Sequence, residues 1–303
     1  MFSLRCWARY CLVVPLLFAV QALCAQSGYD LTIKKPEPYD NRELKAEKTG
    51  RKKFTAPRHL AQNITTHFNY WFNAQQRLNE ILLRAKEGHR DDFSQLLPFF
   101  NYRSDAVSTD PLLDSIIYKA KTGLVLHDLR NDWTDDLYLL WGQAYYYKGH
   151  LDSAYQMFQF INYAFAPKEK DGYYRFIGSN LDGNKSSSVA TAEKLPLKKR
   201  IFSAAPHRNE SLLWEVRTLT DAAQYAEAAA LLVVLRNDTQ FPKRLFAERS
   251  LEQAYLFYKQ SIWDSTAHHL TDALPTAKNA AEQSRWEYLI AQLHERTGKK
   301  EAA

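Results

Sequence analysis

The run YLLWGQAYYYKGHLDSAYQMFQFINYAFAP at 138–167 decides the fold. Its apolar residues recur at helical spacing on both sides of Lys148-Gly149-His150, so it reads as two amphipathic helices joined by a tight turn. Gly142 and Ala154 are small where the two helices must cross. Tyr145, Leu151 and Phe158 fill the space to either side, and Gly149 supplies the turn.

A single helical hairpin cannot bury its outer face, so neighbours of the same pattern are expected. Setting Ala228 against Ala154 brings Leu212, Val216, Leu219, Ala223, Tyr225, Leu232 and Leu235 to matching offsets, with Pro242 after the hairpin. Thr266 in the same role brings Ala254, Phe257, Ser261, Trp263, Leu270 and Ala273 into line. A fourth first helix spans 281–297, with Ala291 at the small position and Gly298 at the turn. Tyr138, Trp141-Gly142, Tyr145, Gly149, Leu151, Ala154, Phe158, Ile161 and Pro167, the last one place late, are spaced as in tetratricopeptide repeats (TPRs). The fold class is therefore all-α: a TPR-type helical-hairpin superhelix, or α-solenoid.

The pattern divides the chain into a first repeat over 131–177, a second over 209–246, a third over 247–283 and a partial fourth over 284–303. Ala154 to Ala228 is 74 residues against 38 from Ala228 to Thr266. The excess is assigned to a flexible insertion at 178–208, which holds GSNLDGNKSSS, Pro196 and Lys198-Lys199-Arg200. Before the repeats, 59–130 is a helical region. Its first long helix is expected over His59–Lys86 and ends at Gly88 in the left-handed conformation, followed by a short segment near Asp91–Phe100 and a helix from about Asp110-Pro111.

Residues 1–25 read as a secretory signal, with Arg5 and Arg9, an apolar stretch Leu12–Val20, and small residues for cleavage within Gln21–Ala25. The expected location is the periplasm. Cleavage after Ala25 removes Cys6, Cys11 and Cys24 and leaves no cysteine for disulfide, thiol or metal chemistry. Lipoprotein processing would instead keep Cys24 as an acylated first residue and tether the chain to the inner face of the outer membrane. The net charge of +6 is confined to the signal and to 26–58, where nine Lys or Arg face five Asp or Glu. From His59 onward the balance is neutral, which gives no electrostatic reason to bind nucleic acid. The segment 26–58, with KTGRKK at 48–53, is read as a basic, extended arm.

The sequence holds no HExxH, CxxC pair, EF-hand loop, GxSxG or Gly-rich phosphate loop. His268 and His269 are neighbours on a helix and point about 100° apart, which disfavours joint metal coordination. His127-Asp128 with Asp132, Asp135 and Asp136 reads as a helix terminus, its carboxylates serving free amides and the dipole. No enzyme activity, cofactor, metal or small-molecule substrate is expected, and protein partners are. Their candidate groove is the first-helix face that carries Gln143, Tyr146, Tyr147, Arg217, Tyr255, Tyr258, Lys259 and Gln292, since Tyr and Arg dominate binding hot spots. Packing between repeats is the competing role for these tyrosines.

HFNYWFNAQQRLNEIL at 67–82, DDFSQLLPFF at 91–100 and the run from Asp135 to Tyr173 together resemble the PorW/SprE proteins of type IX secretion and gliding motility in Bacteroidota. The resemblance implies a periplasmic, lipid-anchored TPR component that links an outer-membrane-associated ring to an inner-membrane motor, with no catalytic residues. Two departures are visible: Gln21-Ala22-Leu23 is a poor lipoprotein signal before Cys24, and family members are longer, so the fourth repeat is read as truncated. A SusD-like helical glycan receptor of the envelope, also built on TPR pairs with exposed aromatics, is the alternative.

Overall fold

The computed structural model of the chain describes residues 33, 35–102, 104–166, 189–191, 193 and 206–299. The signal segment with Cys24, most of the insertion and the last four residues lie outside them. Among the described residues all regular structure is helical. Pro57 opens α1 (Ala56–Thr66), which passes through a π-helical turn at His67–Trp71 into α2 (Phe72–Glu87). Short α3 (Ser104–Ser108) leads to α4 (Leu112–Leu126). The repeats follow as α5 (Thr134–Tyr147) with α6 (Leu151–Ala164), α7 (Arg208–Asp221) with α8 (Tyr225–Asn237), and α9 (Phe246–Lys259) with α10 (Trp263–Ala273). Last comes α11 (Ala280–Arg296), whose N-cap Asn279 accepts from the Glu282 amide.

Each helix packs on its successor from α4 to α11, the contact pattern of a helical-repeat array. The crossing in the first hairpin is as tight as its small residues require: a Cβ on Gly142 would lie 2.6 Å from Phe158 Cε1. The equivalent Ala154, Ala228 and Thr266 are all fully buried. Every first helix ends the same way. Gly149, Ala223, Ser261 and Gly298 have φ of +78°, +59°, +60° and +77°. The residue after each donates its amide to a carbonyl five residues back, as in His150 to Tyr145 and Gln224 to Leu219, both 2.9 Å. These are Schellman closures, and two of the four use a residue other than glycine in the left-handed region.

Several expectations need correction. Gly88 is right-handed, with φ −78° and ψ −13°, because the chain leaves α2 through bonds from Gly88 to Arg84 and from His89 to Lys86. The described part of the N-terminal arm is folded, not extended. Leu44 is buried, Thr49 Oγ1 accepts from the Leu129 amide, Arg130 donates to the Lys52 carbonyl, and the Arg130 guanidinium lies 4.7 Å from the Phe54 ring centre. The insertion is anchored at Val189 and Ala190, whose amides donate to the Asp238 carboxylate at 2.6 and 2.7 Å. Arg208, 1% exposed, donates to the Asn162 and Val189 carbonyls beside it. Tyr146 and Tyr147 are buried, whereas Tyr145, expected in the core, is half-buried. Among the described residues no helix is long and apolar enough to cross a membrane.

Candidate functional site

The first helices α5, α7, α9 and α11 carry Gln143, Arg217, Tyr255 and Gln292 at equivalent positions. Residues 91–102 (DDFSQLLPFFNY) run across these helices in reverse order, from α11 back to α5. Arg285 of α11 opens the contact: Nε and Nη2 donate to the two Asp91 carboxylate oxygens at 2.8 and 2.9 Å. The same guanidinium donates to the Pro98 and Phe99 carbonyls at 2.6 and 3.2 Å. About two turns along the helix, the Gln292 side chain takes the Leu97 amide at 3.0 Å and donates to the Gln95 carbonyl at 2.7 Å. On α9, the Tyr258 hydroxyl donates to the Leu97 carbonyl at 2.9 Å.

Side chains of the segment fill the rest of the groove. Leu97 and Phe99 are buried in one cluster with Tyr255, Leu270, Trp286 and Leu289. Phe99 packs on Tyr255 and Tyr258 with ring centres 5.0 and 5.4 Å apart, and Phe100 packs on Tyr255 at 4.8 Å. The Arg217 guanidinium sits 4.9 Å from the Phe100 ring centre and 4.7 Å from that of Trp214. Tyr102 reaches Tyr147 of α5, where the segment ends.

Beneath the segment lies a buried polar core. Arg217 pairs with Glu252 through Nε and Nη2 at 3.1 and 2.5 Å. Burial raises the Glu252 carboxyl despite that partner, and Glu252 in turn keeps the buried guanidinium charged. Asp221 accepts from the Tyr146 and Tyr255 hydroxyls, and Lys259 Nζ lies 2.9 Å from its carboxylate. Burial, followed by nearby charges including Asp221, pushes both tyrosines above their usual range, so both stay protonated and donate to Asp221. A cavity of about 320 Å³ opens beside this hub, between α3, the α5–α6 turn and α9.

The acidic residues before and within α5 are engaged, with Asp128, Asp135 and Asp136 buried and Asp132 half-buried. The Asp128 carboxylate accepts from Arg58 and Arg130 at 2.9 Å, and Asp132 from Asn63 at 2.8 Å, fastening α1 to the α4–α5 turn. Asp135 caps a different helix from the expected one: it accepts the His207 amide at 2.6 Å, at the N-cap of α7. Asp136 lies 3.0 Å from His207 Nδ1. Burial and the neighbouring Asp136 charge push Asp135 up to about 7. Burial opposes the charged form of His207, but Asp136, Glu210 and Asp135 outweigh it and push the ring up to about 9. Asp135, Asp136 and His207 converge within 4.8 Å, and so do His268, His269 and Asp272, so adjacency on a helix does not keep the two histidines apart.

Of the eight expected groove residues, Arg217, Tyr255, Tyr258 and Gln292 contact segment 91–102 directly, and Tyr147 meets its last residue. Tyr146 and Lys259 are engaged with Asp221, and Gln143 is half-buried on α5. Sequence reasoning placed these positions on one face but missed the segment that covers them, along with Arg285. The available signal was Leu96-Leu97-Pro98-Phe99-Phe100, an apolar run without helical period that needs a surface to cover it. The chain matches no protein-family model, and no curated protein matches it significantly.

Proposed function

We propose that this protein is a cell-envelope scaffold that holds other proteins on its TPR array and performs no chemistry of its own. The supporting observation is that Arg285, Gln292 and Tyr258 grip a segment without regular secondary structure largely through its backbone amide and carbonyls. Side chains that reach the main chain can hold many sequences, which is how a repeat surface holds a polypeptide. With the resemblance at 67–82, 91–100 and 135–173, the reading narrows to a periplasmic adaptor of type IX secretion and gliding motility, tethered at the outer membrane if Cys24 is acylated. Affinity capture from envelope extracts tests it. The reading expects secretion or motility components among the captured proteins and a secretion defect in a deletion strain. Normal secretion with none of those components recovered would sink it.

A further inference from the structure

The groove already holds a ligand, and that ligand is part of the same chain. Segment 91–102 enters after α2 and leaves into α3, while α4 packs directly on both α2 and α5. Its withdrawal therefore leaves the helix-to-helix contacts of the array in place. Apart from a Gln95-to-Asp92 turn, the segment's hydrogen bonds described above run to side chains of α9 and α11, and ring contacts carry it on to Arg217 of α7 and Tyr147 of α5. Phe93 remains 59% exposed although its carbonyl receives the Tyr288 hydroxyl. Where the segment ends, the cavity lined by Tyr102, Asp105, Tyr147, Asp221 and Lys259 continues the groove toward the α5–α6 turn. An incoming chain could first settle there.

We propose that this groove exchanges its internal segment for an extended segment of another protein with the same chemistry. That partner segment carries a carboxylate for Arg285 and, six residues on, an apolar side chain in the place of Leu97, followed by an aromatic pair for Tyr255, Tyr258 and Arg217. The inference rests on the scaffold reading above and names what the groove takes. The tethered segment competes at an effective concentration in the millimolar range, so the wild-type protein binds such a partner weakly until the internal segment is loosened.

A fluorescein-labelled peptide of residues 89–102 provides the probe, read by fluorescence anisotropy against a scrambled control. It is titrated into the wild-type chain, the Leu97→Ala/Phe99→Ala double variant, and a variant with 91–102 replaced by a Gly-Ser linker of equal length. Exchange predicts at least tenfold tighter binding to the variants than to wild type, and weaker binding when the peptide carries Asp91→Asn. Helical variants that bind the peptide no better than the scrambled control would overturn the proposal. So would failure of both variants to fold, because the segment would then be an obligatory part of the core. A wild-type dimer that forms with concentration and is lost in the linker variant would overturn the assignment to a different protein and make the partner a second copy. Capture of envelope proteins with no peptide binding leaves the scaffold reading standing while this inference fails.

Discussion

The Tyr258 hydroxyl donates to the main-chain carbonyl of Leu97 over 2.9 Å, although the two residues are 161 positions apart in sequence. A first-helix tyrosine of the third repeat thus closes on a segment that precedes all the repeats. Tyr258→Phe removes the donor and leaves the carbonyl without it, which costs about 1–3 kcal/mol. Urea unfolding measures the loss. An unchanged midpoint would show that the bond contributes nothing to stability.

Arg285 has the largest expected effect. Its side chain is 8% exposed and serves Asp91 and two carbonyls at once. Burial would raise the Asp91 carboxyl, but hydrogen bonds from Arg285 and His89 outweigh it and hold it below its ordinary range. Arg285→Ala strands a carboxylate and two carbonyls, a loss on the order of 3–5 kcal/mol. Limited proteolysis should then cut first within 88–103, ahead of the helices.

Two exposed turn residues can be improved. Ala223 and Ser261 hold φ of +59° and +60° where the other two repeats use glycine. A left-handed L-residue costs roughly 1–2 kcal/mol, part of which glycine returns as unfolded-chain entropy. Ala223→Gly and Ser261→Gly should each raise stability by about 0.5–1 kcal/mol in thermal or urea unfolding. Gly142→Ala should do the opposite, since its Cβ would meet Phe158 at 2.6 Å.

The stability contributed by Glu215, Asp135 and His207 should fall as pH rises from about 5 to 9, while His67, His127 and His269, lowered by burial, act in the opposite sense near their ordinary value. Burial pushes Glu215 up to about 7 despite the Asn162 hydrogen bond and Arg208, and Asp135 reaches about 7 as well. Both folded values lie above the ordinary carboxylate range, so the folded state binds protons more tightly. Stability is lost as each group is forced to ionise between its unfolded and folded values. His207, pushed up to about 9, contributes fully below its ordinary value near 6.5, and that contribution disappears as pH climbs through 9. The difference in thermal midpoint between wild type and Glu215→Gln across this range checks the sign: wild type should lose stability relative to the variant as pH rises toward 7.

The hairpins were legible because their determinants are local. Gly142, Ala154 and Phe158 must meet at one crossing whatever surrounds them, and the same offsets recur at Ala228 and Thr266. The aromatic face of the first helices followed from that register. The occupant of the groove did not, because residues 91–102 have no periodicity and their partners lie about 195 positions away, as with Leu97 and Gln292. The folded arm escaped for a similar reason. Its charge content favours solvation, and the contacts that fix it come from the distant Leu129 and Arg130.

Site-resolved hydrogen exchange at the Leu97 amide tests the central claim most directly, because its acceptor is the Gln292 side chain and no helix protects it. A groove filled from within predicts exchange slowed by ~100-fold or more relative to a free peptide, with protection lost in Gln292→Ala. Free-peptide exchange at Leu97 alongside well-protected α9 and α11 would show the groove empty and contradict the account.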